Sequence, residues 1–501
     1  MRLMKIALAG AAVAALASVG ARPILRGPRP VVATFFGGSG PPVLFVSPSV
    51  LPAALNPAVR DGSRAHPYAT IADALRAAPD GAEVHLAAGD HVERLAIVRA
   101  VTLVGEGAGL TRIVSPSPTG SVIALLGAGR LGLRGLTVEG GEIGVDVEGA
   151  RNVTLHDVAL RNQRLTGLKA RDAGLELDGC EIVDLQGGQT GTGVELHGGS
   201  LELRDSVFRR AGRRAVVVRA SRATLTGIDV EGSSLSALQA TDGSEVTVTG
   251  GRFAWNGGAA LYAGGSKLRV VGARLENNEM GIVGFRGARL DVEAAQIYDH
   301  TVAGIALTGG SGRIRNSTLA RGGSDAAIAV AECASLLLED NTIFDPGNVG
   351  VHLSRTKATL HGNDIRGAHL DRQRDFGDGV YALESQLILT GNVLHGNAGS
   401  GLAMTRSKAR LQRNDVLGND RAGGLFFERS VIDADDNLFD GNKGPGVEVS
   451  ERSVITLRRN RFGHSASPAI QDFCGDAGRR GKVELAEGNS FVAVPGLTRC
   501  L

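Results

Sequence analysis

The sequence is poor in aromatic residues, in cysteine and in net charge. Phe, Tyr and Trp make up 4% of its 501 residues, there are four Cys, and the formal net charge at pH 7 is +2. The near balance of charge gives the whole chain no bias toward polyanions, and no segment resembles a nucleic-acid-binding module. Few aromatics together with 72 Gly favour tightly wound coils over a β-sandwich.

Long apolar runs are also missing, except near the start of the chain. Residues 1–21 combine a basic start, an apolar run at 6–17 and small residues, a pattern typical of a secretory signal peptide. That run is too short to span a bilayer. Residues 22–42 are rich in Pro and Gly and read as a linker. We therefore expect an exported protein, in the periplasm, outside the cell or on its surface, with no transmembrane segment.

One pattern recurs fifteen times along the rest of the chain. A Gly or Ala precedes an apolar-x-apolar triplet at Gly144, Gly167, Gly193, Ala215, Ala237, Ala260, Gly281, Gly304, Ala327, Gly350, Gly379, Gly401, Gly424, Gly446 and Ala469. The mean step is about 23 residues, within the 20–50 range that indicates a solenoid. Each step contains three short alternating strands separated by Gly, Asn, Asp and Ser.

Three short strands per step predict an all-β fold, a right-handed parallel β-helix with three sheets. Stacked coils bury their inward Leu, Ile and Val in one core, and parallel crossovers are almost always right-handed. A leucine-rich repeat shares the period, but its long Leu-rich consensus and helical segment are missing. Thr70 and Asp73 resemble a capping box that starts a short helix, which we expect to cover the N-terminal end. The expected domains are an N-terminal cap with the first coils at 43–140, the repeat coils at 141–473 and a C-terminal cap at 474–501.

Asn residues form a second column in the repeats. Its members are Asn316, Asn341, Asn363, Asn392, Asn414, Asn437, Asn460 and Asn489, and we interpret them as a structural ladder of amides. Cys180 takes the same slot in an earlier coil, as a small buried residue. Cys180 and Cys333 lie seven coils apart, too far to bond, whereas Cys474 and Cys500 could form a disulfide in the C-terminal cap.

The segment from Val43 to Gly107 resembles the entry segment of the pectin-lyase-like superfamily, in particular its secreted bacterial β-helix repeat proteins. It includes VLFVSPS, the stretch GSRAHPYATIADALRAAPDGAEVHLAAGDHVERLAI and VTLVGEG. The resemblance covers about residues 43–501 and implies the fold. It implies no single activity, because that superfamily contains lyases, hydrolases, esterases, epimerases, adhesins and proteins of unknown role.

The catalytic motifs of these enzyme families are absent or out of order here. Asp435-Asp436 lacks the companions found in polygalacturonases, and Asp345-Pro346-Gly347-Asn348 lacks the His and second Asp of the epimerase motif. No catalytic residue can be carried over, and no cofactor is predicted. Asp433, Asp435 and Asp436 align with Arg residues of adjoining coils and are expected to form ion pairs; a calcium site is the alternative, and no motif supports it. No metal site is predicted.

The best candidate for a site is the place where the period breaks. The step from Gly350 to Gly379 is 29 residues, and insertions in a solenoid collect on one face, often the binding face. Side chains with acid–base or cationic groups gather here by the register. The candidate catalytic residues are His352, Tyr381, Arg372 and Asp375, and the candidate binding residues are Asp345, Asp371, Arg374, His395 and Phe426.

Three functions remain open from the sequence. The first is a monomeric, exported binding or structural protein that presents its β-helix to a polysaccharide or cell-envelope glycan. The second is a polysaccharide lyase, epimerase or hydrolase acting on a glycan, such as one of uronic acids, near residues 345–426. The third is an adhesin subunit, although neither an apolar outer face nor a trimerising domain is evident. The insertion could also be no more than a solvated charged loop.

Overall fold

The structure is a computed structural model. It describes residues 40–48, 60–127, 129–150, 152–187, 190–370, 376–465, 468–472, 481–492 and 496–498. The chain divides into two units, Met1–Gly40 and Pro41–Leu501, and the description below concerns the second. The predicted signal peptide and the predicted Cys474–Cys500 disulfide lie outside the described residues.

Apart from one short helix, the regular secondary structure of the described residues is β-strand, wound into three faces of parallel strands. We call them the first-strand, second-strand and third-strand sheets, after their order within a coil. Each strand pairs in parallel with its counterpart one coil away, as His352 does with Tyr381. Parallel coils of this kind confirm the predicted β-helix. Adjacent strands are spaced by about 4.8 Å, so the register gives approximate positions along the solenoid.

The strand bounds follow the three sheets. The first-strand sheet contains Leu95–Ile97, Ser121–Leu126, Ile143–Glu148, Ser236–Thr241, Ala259–Gly264, Met280–Phe285, Ala303–Thr308, Ala326–Ala331, Val349–Ser354, Val380–Leu383, Leu402–Thr405, Gly424–Phe427, Val447–Val449, Ile470–Asp472 and Leu497–Thr498. The second-strand sheet contains Val43–Val46, Ala82–Leu86, Val101–Gly105, Glu245–Thr249, Lys267–Val271, Arg289–Glu293, Ser311–Arg315, Ser335–Glu339, Lys357–His361, Gln386–Thr390, Lys408–Gln412, Val431–Asp435, Val454–Arg458 and Lys482–Leu485.

The third-strand sheet contains Gly89–Val92, Thr111–Val114, Glu181–Val183, Val207–Arg209, Asp229–Glu231, Arg252–Ala254, Arg274–Glu276, Gln296–Tyr298, Thr318–Gly322, Thr342–Pro346, Asp364–Arg366, Val393–His395, Asp415–Leu417, Leu438–Asp440, Arg461–Gly463 and Ser490–Val492. Some long strands turn a corner and serve two sheets. They are Thr166–Asp178, Thr192–Arg204 and Arg214–Thr226 in the first and second sheets, and Arg130–Glu139 and Asn152–Arg161 in the second and third.

The core is one continuous column of inward side chains that extends from Val46 to Ile470. The alternation of apolar and polar residues in the strands puts every second side chain into this column. Phe439 and Phe462 stack inside it with ring centroids 5.2 Å apart. Stacking the coils buries apolar surface that no single coil could bury alone.

The predicted N-terminal helix is present at Ile71–Ala77. The Thr70 hydroxyl accepts a hydrogen bond from the Asp73 N–H, as the capping-box pattern requires. The Glu93 carboxylate accepts two more, from the N–H groups of Ile71 and Ala72. Ile71 and Ala74 are buried in the core beside the first coils. In the part of the chain that the structure describes, no helix has the length and hydropathy of a membrane span.

The predicted Asn ladder is present from Asn341 to Asn489, at the corner between the second and third strands. Each amide donates to the Oδ1 of the next, for example Asn392 to Asn414 at 2.9 Å. Asn316 was wrongly placed in this ladder. Ser317 takes the slot and donates its backbone N–H to Asn341, whereas Asn316 is exposed with φ of 50°. Two neighbouring polar residues made that position ambiguous in the sequence.

A further polar ladder, at the corner between the third and first strands, was not predicted. Asn397, Asn419 and Asn442 bond in sequence there, and Asn256, Asn278 and His300 do so in earlier coils. Burial lowers the pKa of His300 to about 4, so the ring is neutral near pH 7. The wide variation in loop length at this corner hid the column from the sequence pattern.

Cys180, Cys333 and two carboxylates of the acidic cluster behave as expected. Cys180 and Cys333 are buried free thiols, and burial raises the pKa of Cys180 to about 12. Asp433 pairs with Arg458, and Asp435 pairs with Arg459 at 2.5 Å. No group of three or more potential metal ligands occurs among the described residues. The ion-pair interpretation of this cluster is therefore supported for these two carboxylates.

Candidate functional site

A cluster of rings lies on the first-strand sheet, where the 29-residue step enters it. His352 and Tyr381 occupy the same outward position in adjacent coils, and their ring centroids are 5.3 Å apart at an interplanar angle of 74°. Phe376, from the end of the insertion, meets the other side of Tyr381 at 5.3 Å and 85°. All three side chains are half-buried. We call His352, Tyr381 and Phe376 the aromatic cluster.

Small residues flank the aromatic cluster on the first-strand sheet. The outward position is Ala329 one coil before His352 and Ala403 one coil after Tyr381. Edge-to-face contacts between the rings fix their orientation, because the positive edge of one ring faces the negative face of the next. The three rings therefore form a raised surface of fixed orientation, with alanine at the flanking position on either side.

Two carboxyl groups lie in the segments that lead into the first strands of this region. The Asp325 carboxylate is 4.0 Å from Nδ1 of His352, with both side chains about a quarter exposed, at 26% and 22%. Asp378 precedes Tyr381 by three residues and is only 5% exposed. Its Oδ1 accepts a hydrogen bond from the backbone N–H of Ser400 at 2.6 Å. Burial nevertheless raises the pKa of Asp378 to about 6, against the opposing effects of this bond and of Arg421.

A carboxyl group that titrates near neutrality is suited to transfer protons. Asp378 was not among the residues selected from the sequence, although it ends the irregular step. The signal that could have found it is its place immediately before the Gly379 register position, where most coils have a buried residue, such as Ala326 and Val349. Next to it, the hydroxyl of Ser400 is buried with no hydrogen-bond partner within the described residues.

Two other predicted site residues, Asp345 and His395, make their contacts away from the aromatic cluster. Asp345 binds His369 at 2.5 Å on the exposed loop corner. His395 belongs to the third-strand sheet, where its Nε2 lies 3.0 Å from Asp364, and burial and the charge of Arg366 lower its pKa. No hydrogen bond, ion pair or ring contact between described residues joins either group to His352 or Tyr381.

Phe426 was assigned to the wrong face. The ladder pairs Ala403 with Leu425 and Met404 with Phe426, so Leu425 points outward and Phe426 is fully buried. The register residue is Gly423, not Gly424, and a slip of one residue moves every side chain of a strand to the opposite face. The run Gly423-Gly-Leu-Phe-Phe427 has two Gly and three apolar residues, so its alternation does not distinguish the two registers.

Four predicted site residues, Asp371, Arg372, Arg374 and Asp375, lie outside the described residues. Their assignment as catalytic or binding groups stays a prediction. Among the described candidates, the structure brings together His352 and Tyr381, and adds Phe376 against Tyr381 and Asp325 against His352.

Comparisons with known proteins bear on the fold. The family model for the "Right handed beta helix region" matches residues 143–297, 192–365 and 354–478, together about two thirds of the chain. The hand of the coil expected from the sequence and the resemblance in fold to the pectin-lyase-like superfamily are thereby confirmed. No curated protein sequence matches significantly.

Solved structures with a similar chain path include three carbohydrate-active enzymes. The periplasmic alginate epimerase AlgG is 12% identical, with 67% of this chain and 78% of that chain covered and a TM-score of 0.34. Pectin methylesterase PemA from Erwinia chrysanthemi is 12% identical (49% and 80% covered, TM-score 0.29). The GH87 alpha-1,3-glucanase from Streptomyces thermodiastaticus strain HF3-3 is 11% identical (85% and 66% covered, TM-score 0.29). At these identities the likeness concerns the fold alone.

Proposed function

We propose that this chain, which belongs to the right-handed β-helix family, is an exported glycan-binding protein whose binding site is the aromatic cluster. One observation carries the proposal: three rings in edge-to-face contact, half-exposed and bordered by Ala329 and Ala403, at the break in an otherwise regular repeat. Ligand sites combine apolar and aromatic walls with a few polar groups, and here Asp325 and His352 supply the latter. Export rests on the pattern of residues 1–21.

Binding is tested by removing the central ring. Tyr381→Ala should weaken binding to the glycan preferred in a panel of polygalacturonate, alginate, xylan and β-glucan at least tenfold, measured by isothermal titration calorimetry. The loss of contact area and of two ring contacts accounts for this size. Tyr262→Ala is the matched control, because Tyr262 is a half-buried tyrosine at the same outward position, five coils earlier.

Two results would contradict the binding proposal. One is that no member of the panel binds the wild-type protein. The other is that Tyr262→Ala and Tyr381→Ala weaken binding equally while both variants keep the wild-type melting temperature. Export is tested separately, by the mass of the mature N-terminus in the native host, which should correspond to cleavage near Ala17 or Ala21.

A second candidate function is acid–base catalysis on the bound glycan, as in a lyase, epimerase or hydrolase. The observation that favours it is Asp378, which lies three residues before Tyr381 and is 5% exposed, and whose pKa is raised to about 6 by burial. Lyase activity would appear as ultraviolet-absorbing unsaturated products, and hydrolysis as new reducing ends. Activity that survives in both His352→Ala and Tyr381→Phe would remove these residues from catalysis. Activity in Asp378→Asn with an unchanged pH profile would remove Asp378.

A further inference from the structure

A groove of about 690 Å³ runs along the second-strand sheet, on a different face from the aromatic cluster. It crosses six successive strands, from Ser335–Glu339 to Val454–Arg458. Because side chains alternate along each strand, the surface of this groove is formed by the outward residues. Five of these define what we call the cationic groove, namely Lys357, Ile388, Lys408, Arg410 and Val431.

Three cations of this groove form no ion pair with any described residue. Lys357 and Lys408 share one outward column two coils apart, or about 10 Å at the spacing of parallel strands. Arg410 lies two residues beyond Lys408 on the same strand and pairs in register with Asp433, whose carboxylate binds Arg458 instead. Neither lysine nor Arg410 forms an ion pair within the described residues. The cationic groove therefore carries three uncompensated positive charges.

A second groove on the same sheet shows that this excess is local. It has a volume of about 330 Å³ and lies in earlier coils. There Lys267 binds Glu245 at 2.6 Å, and Arg269 binds both Asp291 and Glu293. Of its cations only Arg289 has no ion pair within the described residues. Since the formal charge of the whole chain is only +2, three cations without ion pairs in one groove are a local excess of positive charge.

The cationic groove is also apolar. Ile388 is 49% exposed and Val431 is 47% exposed, and no aromatic side chain lines it. Aliphatic groups beside arginine and lysine are typical of protein interfaces, where exposed apolar residues are covered and charges are complementary. A sugar polymer would find no ring to stack on. The strands here are paired on both sides within the solenoid, so a partner would contact side chains and could not add a strand.

We propose that the cationic groove binds an acidic segment of a partner protein, independently of any glycan bound at the aromatic cluster. Carboxylates of the partner lie over Lys357, Lys408 and Arg410, and its aliphatic side chains cover Ile388 and Val431. The long-range attraction sets the encounter rate, and the apolar contacts hold the complex.

The test uses the full-length protein and a fluorescent peptide of alternating Asp and Val, with binding measured by anisotropy. Two matched peptides replace Asp by Asn or Val by Ser, and both should bind at least tenfold more weakly. The triple variant Lys357→Gln/Lys408→Gln/Arg410→Gln should lose at least tenfold in affinity, and Ile388→Ser/Val431→Ser a similar amount. Arg289→Gln, which removes an unpaired cation from the other groove, should bind as the wild type does. Tyr381→Ala should also have no effect.

Three outcomes would overturn the proposal. The first is an Asp–Val peptide that binds the triple variant and the wild type alike. The second is a loss of peptide affinity in Arg289→Gln equal to that in the triple variant, which would show that binding responds to overall charge. The third is that polygalacturonate or an oligonucleotide binds more tightly than the peptide, and that this binding is lost in the triple variant but not in Ile388→Ser/Val431→Ser. That pattern would identify a general polyanion surface. Loss of glycan binding in Tyr381→Ala, by contrast, bears only on the proposed function.

Discussion

The corner between the second and third strands is built in two different ways in the two halves of the solenoid. In earlier coils its column contains small or apolar residues, namely Cys180, Ser206, Ile228, Gly251, Ala273, Ala295 and Ser317. In later coils it is an unbroken run of Asn from Asn341 to Asn489. The same backbone turn accepts both, so the Asn residues are not needed to form it. What they add is a chain of buried hydrogen bonds between coils.

The outer surface differs between the same halves. Charges on the second-strand sheet of the earlier coils are largely paired, as in Lys267 with Glu245. The later coils carry the irregular step, the aromatic cluster and the cationic groove. The coils with the most internal hydrogen bonding are thus the ones whose surface departs from the repeat. A rigid interior suits a site, because side chains must be held in place to bind a ligand without a large loss of entropy.

The largest effect is expected from breaking the Asn ladder at its middle. In Asn392→Ala, the backbone N–H and side-chain amide of Asn363 lose their shared acceptor, and the carbonyl of Leu360 loses a donor. Leaving these buried groups unpaired should lower the free energy of unfolding by about 3–5 kcal/mol. Denaturation in urea, followed by circular dichroism, measures the change.

Asn316→Gly is the control for the ladder. Asn316 lies next to the column but is exposed, with a positive φ that Gly adopts freely, so the change should stay within about 0.5 kcal/mol. A cost below about 1 kcal/mol for Asn392→Ala, or equal costs for both variants, would mean that the ladder contributes no more than the small residues of the earlier coils.

The next largest effect concerns a buried carboxyl in the later half. The pKa of Asp378 is raised to about 6 from 3.8, so the stability it contributes is full below pH 3.8 and is lost as the pH rises through 6. Asp378→Asn keeps an oxygen that can accept from the Ser400 N–H and removes the charge. The variant should therefore exceed the wild type by up to about 3 kcal/mol at pH 8 and match it near pH 3.5.

Thermal and urea unfolding at both pH values decide between the alternatives for Asp378. A pH-independent difference would show that the substitution acts through packing and not through ionisation. A variant less stable than the wild type at pH 8 would show that the ionised carboxylate is itself stabilised, by groups such as Arg421. Either result would contradict the expectation that an amide serves this interior better than a carboxylate does.

The sequence predicts the fold wherever alternation and period agree. Inward apolar positions, the Thr70 cap and the Asn column follow from local chemistry, and the register correctly made His352 and Tyr381 neighbours. The assignment of residues to the pattern was wrong where two adjacent residues satisfied it equally, as at Asn316–Ser317 and Gly423–Gly424. The sequence also could not anticipate that Phe376 would turn back onto Tyr381 or that Asp378 would be buried. Those positions depend on the path of a loop of unusual length, which no repeat specifies.

The smallest effect is expected from surface charges, and it tests the difference between the two grooves directly. Lys267→Gln breaks an exposed pair with Glu245 and should cost no more than about 1 kcal/mol, since exposed ion pairs contribute little and are screened by salt. Lys408→Gln removes a cation that has no ion pair within the described residues, so we expect no loss of stability, or a slight gain from reduced repulsion with Arg410. The difference in melting temperature between Lys267→Gln and the wild type should shrink from low to high salt, and Lys408→Gln should show no loss at either salt concentration. A clear destabilisation by Lys408→Gln would mean that this lysine is structurally engaged, and that the cationic groove is less available to a partner than its charge suggests.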